Sequence, residues 1–251
     1  MSHSSEQDHA GRSSDPYYPR SFPTTCWTLV LNAGGPKAAV AGEALEHLCR
    51  AYWYPLYAFV RRKGYAPHDA QDLTQGFFSY LLDKETLANV APEKGKFRTF
   101  LLTAMTNFLA NEWDKEQAQK RGGGRKIQSL ESEAAESRYQ LEPSHDLTPE
   151  RLYERQWAIS LLDRVLANLR AEFEARGDLA LFEELKVALT GNADSYAEVA
   201  RRLGRSEGAV KVAVHRMRRR YRALVLAEVA DTVADSEVEE ELRHLFEIAR
   251  G

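Results

Sequence analysis

The sequence predicts an all-α protein of two helical domains joined by a flexible linker. Three observations carry this. Apolar residues recur at helical spacing along most of the chain, while strand-like alternation is sparse. A weakly periodic stretch, "RGGGRKIQSLESEAAESRYQLEPSHDLTPE" (Arg121–Glu150), is rich in Gly, Ser, Glu and Pro and separates two helical blocks. Helix start and stop signals then follow in order in the second block. At 251 residues, a prior of about 150 residues per domain allows one or two domains. The expected division is a disordered tail over 1–20, a first helical block over 21–120, a linker over 121–150 with room for one short helix, a second block over 151–226 and an acidic extension over 227–251.

Composition narrows the class. The chain is 43% hydrophobic and 28% charged, with a net charge of −3, as a soluble globular protein is. A generally basic nucleic-acid coat is excluded, so any nucleic-acid site must be local. No run of about 18 apolar residues is present, and no membrane partner is expected. The polar start "MSHSSEQDHAGRSSDPYYPR" lacks the apolar core of a secretory signal. Cys26 and Cys49 are the only cysteines, which fits reduced thiols and a cytoplasmic location.

In the first block, "YAPHDAQDLTQGFFSYLL" predicts a helix that opens at Pro67. Ala70, Leu73, Phe77, Tyr80 and Leu81 form its buried stripe, and Asp72, Gln75, Ser79 and Asp83 share a polar face suited to docking a protein. A second, longer helix starts near Phe97. Its apolar stripe is Phe97, Phe100, Leu101, Ala104, Met105 and Phe108. Thr103, Asn107, Asn111 and Asp114 lie on another face, followed by Lys115, Lys120, Arg121, Arg125 and Lys126. Asparagines can donate to and accept from base edges, and a basic tail can hold phosphates. The same residues also fit an ordinary solvated face.

The second block is more specific. Ser195 with Glu198 forms a capping box, Gly204 ends the helix that follows, and Ser206 caps the next, with Glu207 in its first turn. This is a helix-turn-helix. Val210, Val214, Met217 and Tyr221 fall on one face of its second helix, and Lys211, His215, Arg218 and Arg222 on another. From Arg201 to Arg222 there are nine basic residues against one acid, a local charge of +8. An apolar side to hold the helix and a cationic side to meet phosphates and guanine edges is what a DNA recognition helix needs. The competing reading is a solvated basic helix.

The extension Ala227–Gly251 holds eight acids against two arginines, a charge of −6. Val238, Leu242, Leu245 and Phe246 are spaced as one helix face. Two readings follow: a tail that folds back beside the +8 segment and weakens DNA binding, or a helix that packs on the domain and does little else.

Catalysis is not expected. There is no HExxH, no P-loop, no GxGxxG after a strand and no Cys/His cluster with metal spacing, so no cofactor and no metal are assigned. Glu112, Asp114 and Glu116 are too poorly aligned on a helix to chelate an ion. Of the tryptophans at 27, 53, 113 and 157, Trp113 stands out, at the end of the helix that carries the two asparagines, while the others read as packing anchors.

Taken together, these residues resemble a bacterial RNA polymerase sigma factor of the extracytoplasmic-function (ECF) type. "HDAQDLTQGFFSYLL" is similar to the family's region 2.2, "KFRTFLLTAMTNFLANEWDK" to regions 2.3 and 2.4, and "SYAEVARRLGRSEGAVKVAVHRMRRRYRALV" to region 4.2. The wording "CWTLVL…YWYPLYAFVRRKGYAPHDAQDLTQ" resembles a subgroup associated with Ser/Thr protein kinases. The resemblance implies core RNA polymerase (β′ clamp helices and β flap) and promoter DNA as partners. It leaves room for a Ser/Thr kinase or an anti-sigma regulator. It implies that Asp69, Asp72, Leu73, Gln75 and Ser79 dock polymerase. Arg98, Asn107, Asn111, Trp113, Lys115, Lys120 and Arg121 would bind the melted −10 element. Arg205, Ser206, Lys211, His215, Arg216, Arg218, Arg219 and Arg222 would bind the −35 duplex. Gln71 and Gly76 stand where acids are frequent in the family, so the docking face is expected to be less acidic, and Thr74 is a candidate phosphosite that would add negative charge there. Two other readings remain: an autonomous helix-turn-helix regulator that binds duplex operator DNA without polymerase, and an interaction module that has lost promoter function.

Overall fold

The computed structural model describes residues 51–81, 96–119, 130–142, 147–189, 195–230, 232–233 and 235–250. The described residues form α-helices and short 3₁₀ turns, with no strand among them, so the protein is all-α. The helices are α1 (51–62), α2 (Pro67–Leu81), α3 (Phe97–Gln119), α4 (Leu130–Gln140), α5 (Pro149–Ala175), α6 (Leu179–Leu185), α7 (Tyr196–Leu203), α8 (Glu207–Ala230) and α9 (Val238–Arg250). The tail over 1–20, Cys26, Cys49, Trp27 and Asp83 lie outside the described residues.

Two apolar cores organise these helices. The first gathers Tyr52, Leu56, Tyr57, Phe59 and Val60 of α1, Phe77 and Leu81 of α2, and Phe97, Leu101 and Met105 of α3. Apolar residues on nearly every side of α1 place it at the centre, because a helix hydrophobic all round must be covered all round. The rings lock edge to face, Tyr52 on Phe97 at 5.5 Å and Phe77 on Phe108 at 5.7 Å. Tyr80, expected in the buried stripe, stands 43% exposed at the rim, against Phe108. The second core joins Leu169, Leu181, Phe182 and Leu185 to Val199, Ala200, Val210, Val214 and Met217.

The boundary between these cores differs from the expected one. The N-terminal half of α5 (Leu152, Tyr153, Trp157, Leu161, Val165) belongs to the first core, and its Leu169 to the second. Likewise α8 gives Val210, Val214 and Met217 to the second core and Val225 and Val229 to the first. No composition shift marks such a boundary, because it runs through continuous helices.

The expected linker holds one short helix, α4, which packs on α1. Its attachment is mostly polar. Glu136 accepts from Arg61 Nε at 2.8 Å and Nη2 at 2.9 Å, and from Tyr57 Oη at 2.5 Å. Arg138 lies 3.9 Å over the Tyr54 ring. A helix held this way has no apolar stripe to reveal it beyond Ala135, its one buried apolar residue among those described. The bonds from Arg61, followed by that from Tyr57, hold the Glu136 carboxyl below the usual carboxylate range. A depressed carboxyl stabilises the fold above its unfolded pKa of about 4.3 and loses that contribution as pH falls through the folded value. Glu136→Gln is therefore expected to lower stability at pH 7 and to flatten the acid limb of a stability–pH curve. Urea titrations of both proteins between about pH 3 and 7 check this, and an unchanged acid limb would refute it.

The helix of the acidic extension, α9, packs on α5 and α8, with Leu245 in the first core beside Val225 and Val229 rather than in the second core of the helix-turn-helix. Glu241 is 0% exposed and pairs with Arg98 of α3, itself only 4% exposed, and with Lys96 at 2.9 Å. The tail is thus a packing helix, and its most buried acid is neutralised by the first block.

Candidate nucleic-acid interface

Local signals build the helix-turn-helix. Ser195 Oγ accepts from the Glu198 amide at 3.3 Å and opens α7. Gly204 ends it at φ 61°, ψ 31°, where an L side chain is strained, and the Arg205 amide returns to the Ala200 carbonyl at 2.9 Å. Ser206 Oγ accepts from the Ala209 amide at 3.2 Å and opens α8. Gly204→Ala is expected to cost about 1–2 kcal/mol, the penalty of the left-handed region, since no neighbour lies near the added Cβ. Thermal melts of the two proteins check this.

Burial of Val210, Val214 and Met217 against α6 and α7 orients α8 and turns Lys211, His215, Arg216, Arg219 and Arg222 to solvent. Lys211 pairs with Glu207 at 2.7 Å, and Arg205 with Asp178 at 3.7 Å. Arg216 and Arg222 carry no ion pair among the described residues. Three other cations of the segment reach inward or sideways to the scaffold. Arg202 meets Glu184 at 2.8 Å, Arg220 forks onto Glu172, and Arg218 donates twice to the Ala188 carbonyl. Arg218 is exposed like the solvent-facing set, but its guanidinium is also tied to the Ala188 carbonyl.

On α3, Asn107, Asn111 and Lys115 are exposed along one face, and Trp113, 56% exposed, stands on another side of the same helix. An exposed aromatic can stack a base, and exposed amides can hold base edges. Lys115 pairs with Glu112 at 2.7 Å. Lys120 and Arg121 lie outside the described residues. Arg98 cannot join this set: it is buried between Glu241 and the Trp157 ring, 4.7 Å below its guanidinium, and burial pushes its pKa down. One signal could have revealed the pair. Glu241 interrupts the α9 stripe Val238, Leu245, Ile248, and a charge at a core position needs a partner.

On α2, Asp69, Asp72, Gln75 and Ser79 share one exposed face. His68 Nδ1 lies 3.1 Å from Asp72 Oδ2, and Ser79 Oγ donates to the Gln75 carbonyl at 3.2 Å. Leu73 packs half-buried against the first core. Gln71 is buried, so the acid missing there is missing from the interior rather than from the docking face. Thr74 is 0% exposed and donates to the Ala70 carbonyl at 2.7 Å. A kinase cannot reach that hydroxyl while α2 is folded, which overturns its reading as a phosphosite. Among the described residues no helix is long and apolar enough to cross a membrane, and no cluster of His, Cys, Asp or Glu could hold a metal ion.

No family model matches the chain, and no solved structure matches it significantly. The chain is 28% identical over 205 residues to the ECF RNA polymerase sigma factor SigE of Mycolicibacterium smegmatis, an alignment that covers 82% of this chain and 70% of that protein. The chain is a distant homologue of an ECF RNA polymerase sigma factor.

Proposed function

We propose that the protein acts as a sigma factor in the cytoplasm: it binds core RNA polymerase and directs transcription initiation at specific promoters, without catalysis of its own. The similarity to SigE across 82% of the chain carries this reading. The α2 face of Asp69, Asp72, Gln75 and Ser79 docks polymerase. Asn107, Asn111, Trp113 and Lys115 on α3 hold the melted −10 strand. Lys211, His215, Arg216, Arg219 and Arg222 on α8 meet the −35 duplex. Each DNA contact is modest alone, but joining them in one body raises the effective concentration of the second once the first is made. The wording that resembles kinase-associated relatives supports regulation by a Ser/Thr kinase or an anti-sigma protein, acting elsewhere than Thr74.

Run-off transcription tests this, with purified core polymerase and a pool of upstream fragments that includes the region before the protein's own gene. Specific initiation is expected with the wild-type protein, and loss of it with Asp72→Ala/Gln75→Ala. Tight duplex binding with no polymerase binding would overturn the reading in favour of an autonomous helix-turn-helix regulator.

A further inference from the structure

The basic residues of the helix-turn-helix divide into those that point outward and those that fasten α8 to its scaffold. Arg218, although exposed, belongs by its bonds to the second group. Its Nε and Nη2 both donate to the Ala188 carbonyl, at 3.1 and 2.7 Å. Ala188 is a buried residue of the 3₁₀ turn Lys186–Leu189, which follows α6 directly. Carbonyls at a helix end lack partners within the helix, so an arginine fork that caps one satisfies it and fixes the distance between the two elements. Two residues later Arg220 grips Glu172 of α5, with Nε at 2.9 Å from one oxygen and Nη2 at 2.5 Å from the other. Met217, just before Arg218, is buried in the second core. Thus α8 is pinned at its middle to the α6 turn, to α5 and to the core between them, and the exposed His215, Arg216, Arg219 and Arg222 project from the same two turns.

We infer that Arg218 is a positioning residue for DNA recognition: through the Ala188 carbonyl it sets where α8 stands on its scaffold, and it makes no contact with phosphate or base. The inference rests on the DNA-binding reading of α8. It separates Arg218 from Arg222, which the sequence pattern places on the same face.

The two roles leave different thermodynamic traces. A phosphate contact releases counterions, so its removal flattens the dependence of log K on log[salt] by about 0.9, whatever the DNA sequence. Removal of a positioning bond leaves the number of phosphate contacts, and hence the slope, nearly unchanged, but it weakens discrimination between sequences. The experiment uses the full chain. A duplex is first selected by the wild-type protein from a random pool, and a scrambled duplex of equal length and composition is the comparison. Binding to both is measured over a salt series for wild type, Arg218→Ala, Arg218→Lys and Arg222→Ala. Arg222→Ala is expected to lower the slope by about 0.9 on both duplexes. Arg218→Ala is expected to keep the wild-type slope and the affinity for scrambled DNA. Its preference for the selected duplex should fall about tenfold or more, the scale of a lost charged hydrogen bond. Arg218→Lys, which can still donate to Ala188, is expected to regain part of that preference. A purely structural defect would lower both affinities together, in proportion to the folded fraction. A slope lowered by about 0.9 in Arg218→Ala, or equal losses on both duplexes, would overturn the inference. Absence of salt-dependent duplex binding by the wild-type protein would instead overturn the DNA-binding reading on which it rests.

Discussion

Glu241→Ala is expected to destabilise the protein by about 3–5 kcal/mol, the cost of leaving a buried charge without its partner. The variant leaves Arg98, which is 4% exposed and cannot shed its proton, with the more exposed Glu154 at 4.0 Å as its remaining carboxylate among the described residues. Lys96 loses the same carboxylate but keeps Glu240 at 3.8 Å and is more exposed, so most of the cost falls on Arg98. For a chain of this size the expected fall in Tm is on the order of 10 °C. The double replacement Arg98→Met/Glu241→Leu removes both charges and is expected to recover most of the loss, since apolar pairs of similar volume often replace buried ion pairs without penalty. Urea unfolding of wild type, the single variant and the double variant decides. A loss under about 1 kcal/mol for Glu241→Ala would mean that water reaches Arg98 and that the pair is of the weak, surface kind.

The second large effect is on DNA affinity. Arg216→Ala/Arg222→Ala removes two exposed guanidinium groups that have no ion pair among the described residues. If each holds one phosphate, the salt slope falls by about 1.8, and affinity in about 50 mM salt drops on the order of a hundredfold, the release term for two contacts. Neither arginine belongs to a core, so thermal stability should stay within about 0.5 kcal/mol of wild type. Affinity measured by fluorescence anisotropy on one duplex at several salt concentrations, beside a thermal melt, gives both quantities. An unchanged slope would move the phosphate contacts to other residues, Arg219 first among them.

Features set by a few adjacent residues were the most legible in the sequence. Ser195, Gly204 and Ser206 each act within a turn of their own position, so the caps of α7 and α8 follow from local chemistry. The apolar stripes of α2 and α3 were readable for the same reason. Tertiary choices were not. α4 is docked by Glu136 and Arg138, whose exposed-looking pattern matches any solvated helix. Arg98 and Arg218 were read as DNA contacts because their charge and position suggested it. A helical wheel records where a Cα lies, not where a long flexible side chain ends: Arg98 ends buried against Glu241, while Arg218, though exposed, ends on the Ala188 carbonyl. Thr74 illustrates the converse: it borders the stripe on the wheel, and the structure closes the space around it completely.

The sharing of α5 and α8 between two cores bears on how the molecule can be taken apart. A fragment ending before Pro149 would bare Tyr52, Phe59 and Phe97, the surfaces that Tyr153, Trp157 and Leu245 cover in the whole chain. A fragment beginning there would carry Trp157, Val225 and Leu245 as an uncovered apolar patch on an otherwise complete helix-turn-helix. Patches of that kind drive association. Neither half is therefore a portable module. Grafting the DNA-reading half onto a different protein would require transplanting its seam as well, and recombination near the middle of the gene would yield two sticky products rather than two working parts.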